Sequence, residues 1–94
     1  MSTRSLVLYW FDRHDDHDAP PRVGIAVPRK VGGAVVRNRV KRQLREAWRT
    51  QVDRIGSGRD YVLLARPGFA EAAEANESGW VADRVGEALE LAAP

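Results

Sequence analysis

The chain has 94 residues, of which 44% are hydrophobic, and it contains no cysteine. This length suits one small domain, and the lack of cysteine excludes disulfides and cysteine-based metal sites. The longest apolar run, residues 6–11, is far too short to cross a membrane, and no signal-peptide hydrophobic region precedes it. We therefore expect one domain over residues 1–94 that works in the cytoplasm without a membrane partner.

The charge is distributed unevenly along the chain, although the net charge is only +2. Residues 22–49 hold nine basic residues and one acidic residue, whereas the rest of the chain holds six basic and twelve acidic residues. The basic residues of this stretch are Arg22, Arg29, Lys30, Arg37, Arg39, Lys41, Arg42, Arg45 and Arg49. Such a cationic stretch between acidic flanking segments indicates a polyanionic partner, with nucleic acid favoured over a membrane surface.

Two strands are predicted in the first third of the chain. Residues 6–11 are rich in strand-forming residues, and alternation gives this strand two apolar faces. One face holds Leu6, Leu8 and Trp10, and the other holds Val7, Tyr9 and Phe11. After a polar loop, residues 22–28 alternate bulky aliphatic residues with glycine, alanine and proline. The nearly bare face of this second strand would let a ligand or another backbone come close.

A basic amphipathic helix is predicted after a turn at Gly32 and Gly33. Apolar residues recur at every fourth position, which is typical of a helix face packed on a core. They are Val36, Val40, Leu44, Trp48 and Val52. An adjacent row carries Arg37, Lys41, Arg45 and Arg49. Asn38 is the expected N-cap, and Gly56 and Gly58 are expected to end the helix.

The charges of this predicted helix oppose its stability. Like charges four residues apart repel by about 0.2–0.5 kcal/mol per pair in an isolated helix. Cations near the N-terminus also oppose the helix dipole, by about 0.3–1 kcal/mol for each charge. Because a helix N-terminus binds anions, these repeated conflicts favour a phosphate ligand over a merely solvated face.

One more strand and one more helix are predicted in the C-terminal third. Residues 61–65 form a continuous apolar run, which is typical of a buried central strand. An alanine-rich segment with possible helical content runs to Glu77, and a terminal helix follows with Ser78 as its cap. The order β, β, α, β, α with so few strands predicts a small α+β two-layer sandwich.

The cationic stretch resembles the signature of the bacterial ribonuclease P protein component. The resemblance centres on Arg37, Asn38 and Arg39, within the sequence RVGIAVPRKVGGAVVRNRVKRQLREAWR of residues 22–49. It continues through residues 59–67, RDYVLLARP, and backwards to residues 6–9, LVLY. It therefore covers most of residues 5–67, while the C-terminal segment matches only in being a helix.

This resemblance implies more about the fold than the residue pattern alone. It implies an architecture like domain 2 of ribosomal protein S5, with a left-handed βαβ crossover around the basic helix. Members of the family usually begin with a further segment that includes a short helix with aromatic side chains. Since the first strand here starts near Ser5, we expect that N-terminal helix to be absent.

The resemblance also implies a function. Ribonuclease P is a ribonucleoprotein endonuclease, a hydrolase of tRNA processing that removes the 5′ leader from precursor tRNA. In this family the RNA subunit binds Mg²⁺ and carries the chemistry, so no catalytic or metal-binding residue is expected in this chain. The implied partners are the ribonuclease P RNA and precursor tRNA, with a monomeric protein in a 1:1 ribonucleoprotein.

Two sets of site residues follow from the resemblance. The implied RNA-binding residues are Arg29, Lys30, Arg37, Asn38, Arg39, Lys41, Arg42, Arg45 and Arg49. The implied leader-binding residues are Val7, Tyr9 and Phe11 on the outer face of the first strand. Aromatic side chains can hold single-stranded RNA by stacking, which contributes about 1–3 kcal/mol per base.

Two other functions remain open. A general structured-RNA-binding protein, such as a ribosome-associated module, would share the basic helix without distinguishing precursor from mature tRNA. A protein-only nuclease would need a metal site, for which His14, Asp15, Asp16, His17 and Asp18 are the candidates. These five residues lie in a polar loop before Pro20 and Pro21, and metal ligands need firmer support, which favours a solvated loop.

Overall fold

The computed structural model describes residues 5–13, 18, 20–51, 55 and 57–92. The elements in these ranges are β1 (Leu6–Asp12), β2 (Arg22–Ala26), a 3₁₀ turn (Arg29–Val31), α1 (Ala34–Arg49), β3 (Arg59–Ala65), α2 (Phe69–Ala75) and α3 (Trp80–Ala92). This order confirms the predicted small α+β fold. Among the described residues, no helix is long and apolar enough to cross a membrane.

β3 is the central strand of a three-stranded sheet, with β1 antiparallel on one side and β2 parallel on the other. Leu8 of β1 and Ile25 of β2 both lie opposite Leu63. The chain therefore crosses from β2 through α1 to a parallel neighbour, as the resemblance implies. The left-handed sense of this crossover stays a prediction.

The core lies between one face of the sheet and the helices α1 and α3. Leu6, Leu8 and Leu63 on this face are fully buried, and so is Leu44 of α1. The ring of Trp48 packs on Tyr61 with 5.1 Å between their centroids. The predicted inner face of β1 is therefore confirmed for its two leucines, while Trp10 remains partly exposed beneath the guanidinium of Arg59.

Helix α1 begins earlier than predicted. Gly33 occupies the N-cap position and Ala34 is the first helical residue, while Asn38 is an exposed residue inside the helix. The prediction of Asn38 as N-cap was therefore wrong. The backbone N–H of Arg37 already donates to the Gly33 carbonyl at 2.9 Å, so the helix is closed before Asn38 is reached. Most of the helix cations consequently lie beyond the first turn, which weakens the predicted conflict with the helix dipole.

Helix α1 also ends earlier than predicted, at Arg49. The Thr50 hydroxyl donates to the Ala47 carbonyl at 2.6 Å, a local hydrogen bond that competes with further helix. Ile55 is half-buried against the core outside the helix. Val52 and Gly56 lie outside the described residues.

The C-terminal third is more helical than predicted. The alanine-rich segment forms the short helix α2, and α3 starts at Trp80. The Gly79 carbonyl accepts the Asp83 N–H at 3.0 Å, so Gly79 takes the cap position that was predicted for Ser78. The ring of Trp80 packs on Phe69, with 5.6 Å between centroids, and thereby joins α3 to α2.

Candidate nucleic-acid interface

The exposed side of α1 carries the basic row, which consists of Arg37, Lys41, Arg45 and Arg49. Val40, Leu44, Ala47 and Trp48 fill the buried face of the helix. Helical spacing then places the basic row along one line beside that buried stripe, with neighbours about 5–6 Å apart. Arg45 and Arg49 are exposed, and Arg37 and Lys41 are half-buried. The structure thus brings these four predicted residues together on one surface.

The cations of the basic row have no neutralising partner in the described part of the chain. No salt bridge is recorded there for its four members or for Arg42. The Nε of Arg37 is shielded from solvent and has no hydrogen-bond partner among the described residues. Unpaired charges at this spacing repel one another, so a phosphate backbone beside the row would relieve that repulsion.

Arg39 lies on a different side of α1 from the basic row. It follows Arg37 by two positions, which is a rotation of about 200° around the helix. Its Nη2 donates to Oε1 of Glu74 in α2 at 2.8 Å. Arg42 and Asn38 are both exposed and lie between these two sides. The predicted RNA-binding residues of α1 therefore wrap around the helix instead of forming one line.

Arg29 and Lys30 lie in the 3₁₀ turn that joins β2 to α1. Both side chains are exposed, while Val31 between them and α1 is buried and anchors the turn in the core. Gly32 follows because a Cβ at this position would lie only 2.7 Å from Cγ1 of Val36. This close packing fixes the path of the chain, and it sets both cations at the end of the sheet where α1 begins.

Arg66 also lies at this end of the sheet, and it was not among the predicted site residues. β2 and β3 run parallel, and Ala26 lies opposite Leu64, so both strands finish at the same edge. Arg66 follows β3 directly, its side chain is exposed, and its backbone N–H donates to the Ser5 carbonyl at 3.0 Å. The position of Arg66 could have been predicted from the parallel pairing of β2 and β3, because the residues that follow two parallel neighbouring strands lie at the same end of the sheet.

The outer face of the sheet is the face turned away from α1 and α3. The predicted leader-binding residues all lie on it: Tyr9 is 48% exposed, Phe11 is 57% exposed, and Val7 is half-buried. The cross-strand row through Tyr9 continues with Val62 and Gly24. The ring of Tyr9 thus lies at one side of an apolar row across the sheet, and at the other side Gly24 has no side chain above the backbone.

An ion pair closes one end of this outer face. Arg22 makes two hydrogen bonds to the carboxylate of Asp60, from Nε at 2.9 Å and from Nη2 at 2.8 Å. The hydrogen bond from Arg22 is the main cause that lowers the pKa of Asp60, and the charge of Arg13 adds to it. Arg22 therefore differs from the basic row, because its charge is already balanced within the sheet.

Comparison with known proteins identifies the family. The family model for ribonuclease P matches residues 1–80. The chain belongs to the ribonuclease P protein family. It is 41% identical over 70 residues to the ribonuclease P protein component of Bacillus cereus strain B4264, covering 74% of this chain and 59% of the relative. The chain thus spans about three fifths of the length of the curated relatives it matches.

Solved structures of ribonuclease P proteins share the fold. The protein from Thermotoga maritima, solved in complex with 1-(4-fluorophenyl)-2-thiourea, aligns with a TM-score of 0.80 at 29% identity, covering 95% of this chain and 80% of that one. The Staphylococcus aureus protein aligns with a TM-score of 0.80 at 26% identity, covering 98% of this chain and 78% of that one. The predicted family and the small α+β fold are confirmed.

Proposed function

We propose that this chain is the protein subunit of a ribonuclease P and assists removal of the 5′ leader from precursor tRNA. The observation that carries the proposal is the pairing of two surfaces in a chain of this family. One is the exposed side of α1 with its unneutralised cations, and the other is the outer sheet face with its exposed aromatic rings. Arg29, Lys30 and Arg66 lie at the sheet end where α1 begins.

The basic surface of α1 is proposed to bind the ribonuclease P RNA. Arginine suits this role because its planar guanidinium can bind phosphate with two hydrogen bonds. Folded RNA presents phosphates in fixed positions, and a rigid helix holds its cations at matching fixed intervals. If five or six phosphates are contacted, the plot of log affinity against log salt concentration has a slope of about −4 to −5.

The outer sheet face is proposed to hold the single-stranded leader. Tyr9 and Phe11 offer rings on which unpaired bases can stack, and the bare backbone at Gly24 leaves room for the strand. Arg29, Lys30 and Arg66 lie at the Leu6 end of β1, away from Phe11, where they can bind phosphates of the leader beyond the ring of Tyr9. Mature tRNA has no leader, so it would lose this part of the interface.

In this proposal the RNA subunit binds Mg²⁺ and hydrolyses the phosphodiester, and the protein positions the two RNAs. The described residues contain no group of three or more histidine, cysteine, aspartate or glutamate side chains that could hold a metal ion. His14 and His17 lie outside the described residues. The proposed assembly is a 1:1 complex of protein and RNA in the cytoplasm, with the chemistry assigned to the RNA subunit.

Reconstitution tests the proposal. The chain is mixed with the ribonuclease P RNA of Bacillus cereus and a precursor tRNA at low Mg²⁺, where we expect it to accelerate release of the leader. A parallel measurement compares its binding to precursor and to mature tRNA. No acceleration together with equal binding would instead favour a general structured-RNA-binding protein.

A second control tests the protein-only nuclease. We expect no cleavage by the chain alone, and the double variant with His14→Ala and His17→Ala should retain the reconstituted activity within a few-fold. Metal-dependent cleavage by the protein alone that this double variant abolishes would replace the proposed function with a nuclease built on that loop.

A further inference from the structure

The ion pair between Glu74 and Arg39 lies on the surface. Oε1 of Glu74 is 2.8 Å from Nη2 of Arg39, and the two residues are 35 positions apart in the sequence. The Glu74 side chain is 65% exposed and that of Arg39 is 36% exposed. A ligand in solvent can therefore reach the guanidinium of Arg39 while the carboxylate of Glu74 is still bound to it.

Helix stability does not explain the position of Glu74. It lies in the last turn of α2, where a negative charge opposes the helix dipole, and that turn contains no basic residue. The pair itself adds little to folding stability, because both side chains are exposed to solvent that screens their charges. The larger consequence concerns the charge of Arg39. The carboxylate of Glu74 uses one of the hydrogen-bond donors of this guanidinium, which belongs to the motif at the centre of the family resemblance.

The contact is partial. Only Nη2 of Arg39 makes the recorded hydrogen bond, so Nε and Nη1 remain open to another acceptor. A phosphate that binds this guanidinium must either displace the carboxylate or sit beside a like charge, and both lower its affinity. Among the described cations of α1, only Arg39 has an acidic partner of this kind.

We infer that Glu74 is a built-in competitor for phosphate at Arg39 and sets how much Arg39 contributes to RNA affinity. This inference rests on the proposed function, because it requires RNA to bind α1. It adds an affinity-tuning residue from α2, a part of the chain outside the cationic stretch. The competition acts on contacts that use Arg39 and leaves the basic row on the other side of α1 unaffected.

Four variants of the whole chain test this inference with the ribonuclease P RNA of Bacillus cereus as the probe. They are Glu74→Gln, Arg39→Ala, the double variant, and Glu77→Gln as a matched control. Glu77 is also exposed and lies just after α2, and within the described residues it makes no ion pair. Thermal unfolding of each variant verifies that the fold is retained.

We expect Glu74→Gln to tighten RNA binding about two- to five-fold, the range of an exposed ion pair, and to steepen the salt slope. Arg39→Ala should weaken binding and flatten that slope by about one unit. In the Arg39→Ala background, Glu74→Gln should do no more than Glu77→Gln does in the unmodified chain.

Three outcomes would overturn the inference: weaker binding by Glu74→Gln, an effect equal to that of Glu77→Gln, or the same gain with and without Arg39. If the unmodified chain binds the RNA with the expected salt dependence, these outcomes leave the proposed function intact. If the unmodified chain shows no salt-dependent binding, the proposed function fails as well.

Discussion

Helices α1 and α3 cover the same face of the sheet and differ in their outer surfaces. Both bury an apolar stripe, with Leu44 in α1 and Val85 in α3 fully buried. Outside the stripe, α1 carries six basic residues and one acidic residue, whereas α3 carries three acidic residues and one basic residue. The single cation of α3, Arg84, is paired with Glu87 at 3.0 Å.

This difference separates the residues that stabilise the fold from the residues available to bind a partner. The buried stripes are interchangeable in kind, because either one removes apolar surface from water. The one cation of α3 is paired within its own helix, whereas the basic row of α1 has no ion pair in the described structure. A helix that needs an external anion to balance its charge is the part of the molecule that indicates a partner.

The largest expected effect comes from removing the charge of the basic row. Changing Arg37, Lys41, Arg45 and Arg49 together to glutamine should weaken binding to the ribonuclease P RNA on the order of a thousandfold at physiological salt, since four phosphate contacts are lost. The matched control neutralises Asp83, Glu87 and Glu90 of α3. Filter binding at several salt concentrations measures both, and an equal loss in the two variants would contradict the assignment to α1.

Truncating a buried side chain in the apolar stripe of α1 should give the next largest effect, on folding stability. Leu44→Ala should lower the free energy of unfolding by about 2–5 kcal/mol, because Leu44 is fully buried and its loss leaves a cavity. Val35→Ala, in the first turn of the same helix, should change it by less than about 0.5 kcal/mol because Val35 is largely exposed. Urea unfolding measures both, and similar losses would mean that the packing of α1 differs from that described.

The outer sheet face should matter for precursor tRNA alone. Tyr9→Ala should weaken binding of precursor tRNA by about 1–3 kcal/mol, the contribution of one stacked base, and leave mature tRNA unaffected. Leu91 of α3 is a control of matched exposure, at 47% against 48% for Tyr9. If Leu91→Ala changes precursor binding as much as Tyr9→Ala does, the outer face is not the leader site.

The smallest expected effect concerns the ion pair of Arg22 and Asp60. The pKa of Asp60 is lowered in the folded chain by its hydrogen bonds from Arg22, so the pair stabilises the fold above the ordinary pKa of 3.8 and this stabilisation is lost as pH falls through the lowered value. Asp60→Asn should therefore reduce stability at pH 7 and make little difference near pH 2. Urea unfolding of the unmodified chain and of Asp60→Asn at pH 7 and pH 2 tests this. A larger loss of stability at pH 2 than at pH 7 would contradict the prediction.

Local patterns in the sequence predicted the parts of the site that depend on one element. The basic row follows from four-residue spacing, and the alternation in β1 correctly placed Val7, Tyr9 and Phe11 on one face. Asn38 was misassigned because cap preference was weighed without the packing of Gly32 against Val36. The partner of Arg39 depends on a contact between distant segments, which no local periodicity encodes. The position of Arg66 follows only once β2 and β3 are taken as parallel neighbours.

The strand order has a consequence for synthesis of the chain. Within the described part of the chain, both outer strands pair only with β3, so neither β1 nor β2 has a strand partner until β3 has been made. During translation, α1 therefore leaves the ribosome before the sheet that covers its apolar stripe exists. The nascent chain therefore exposes a cationic helix close to ribosomal RNA. Once β3 has been made, the sheet buries the apolar stripe of α1, while the basic side chains stay on the surface.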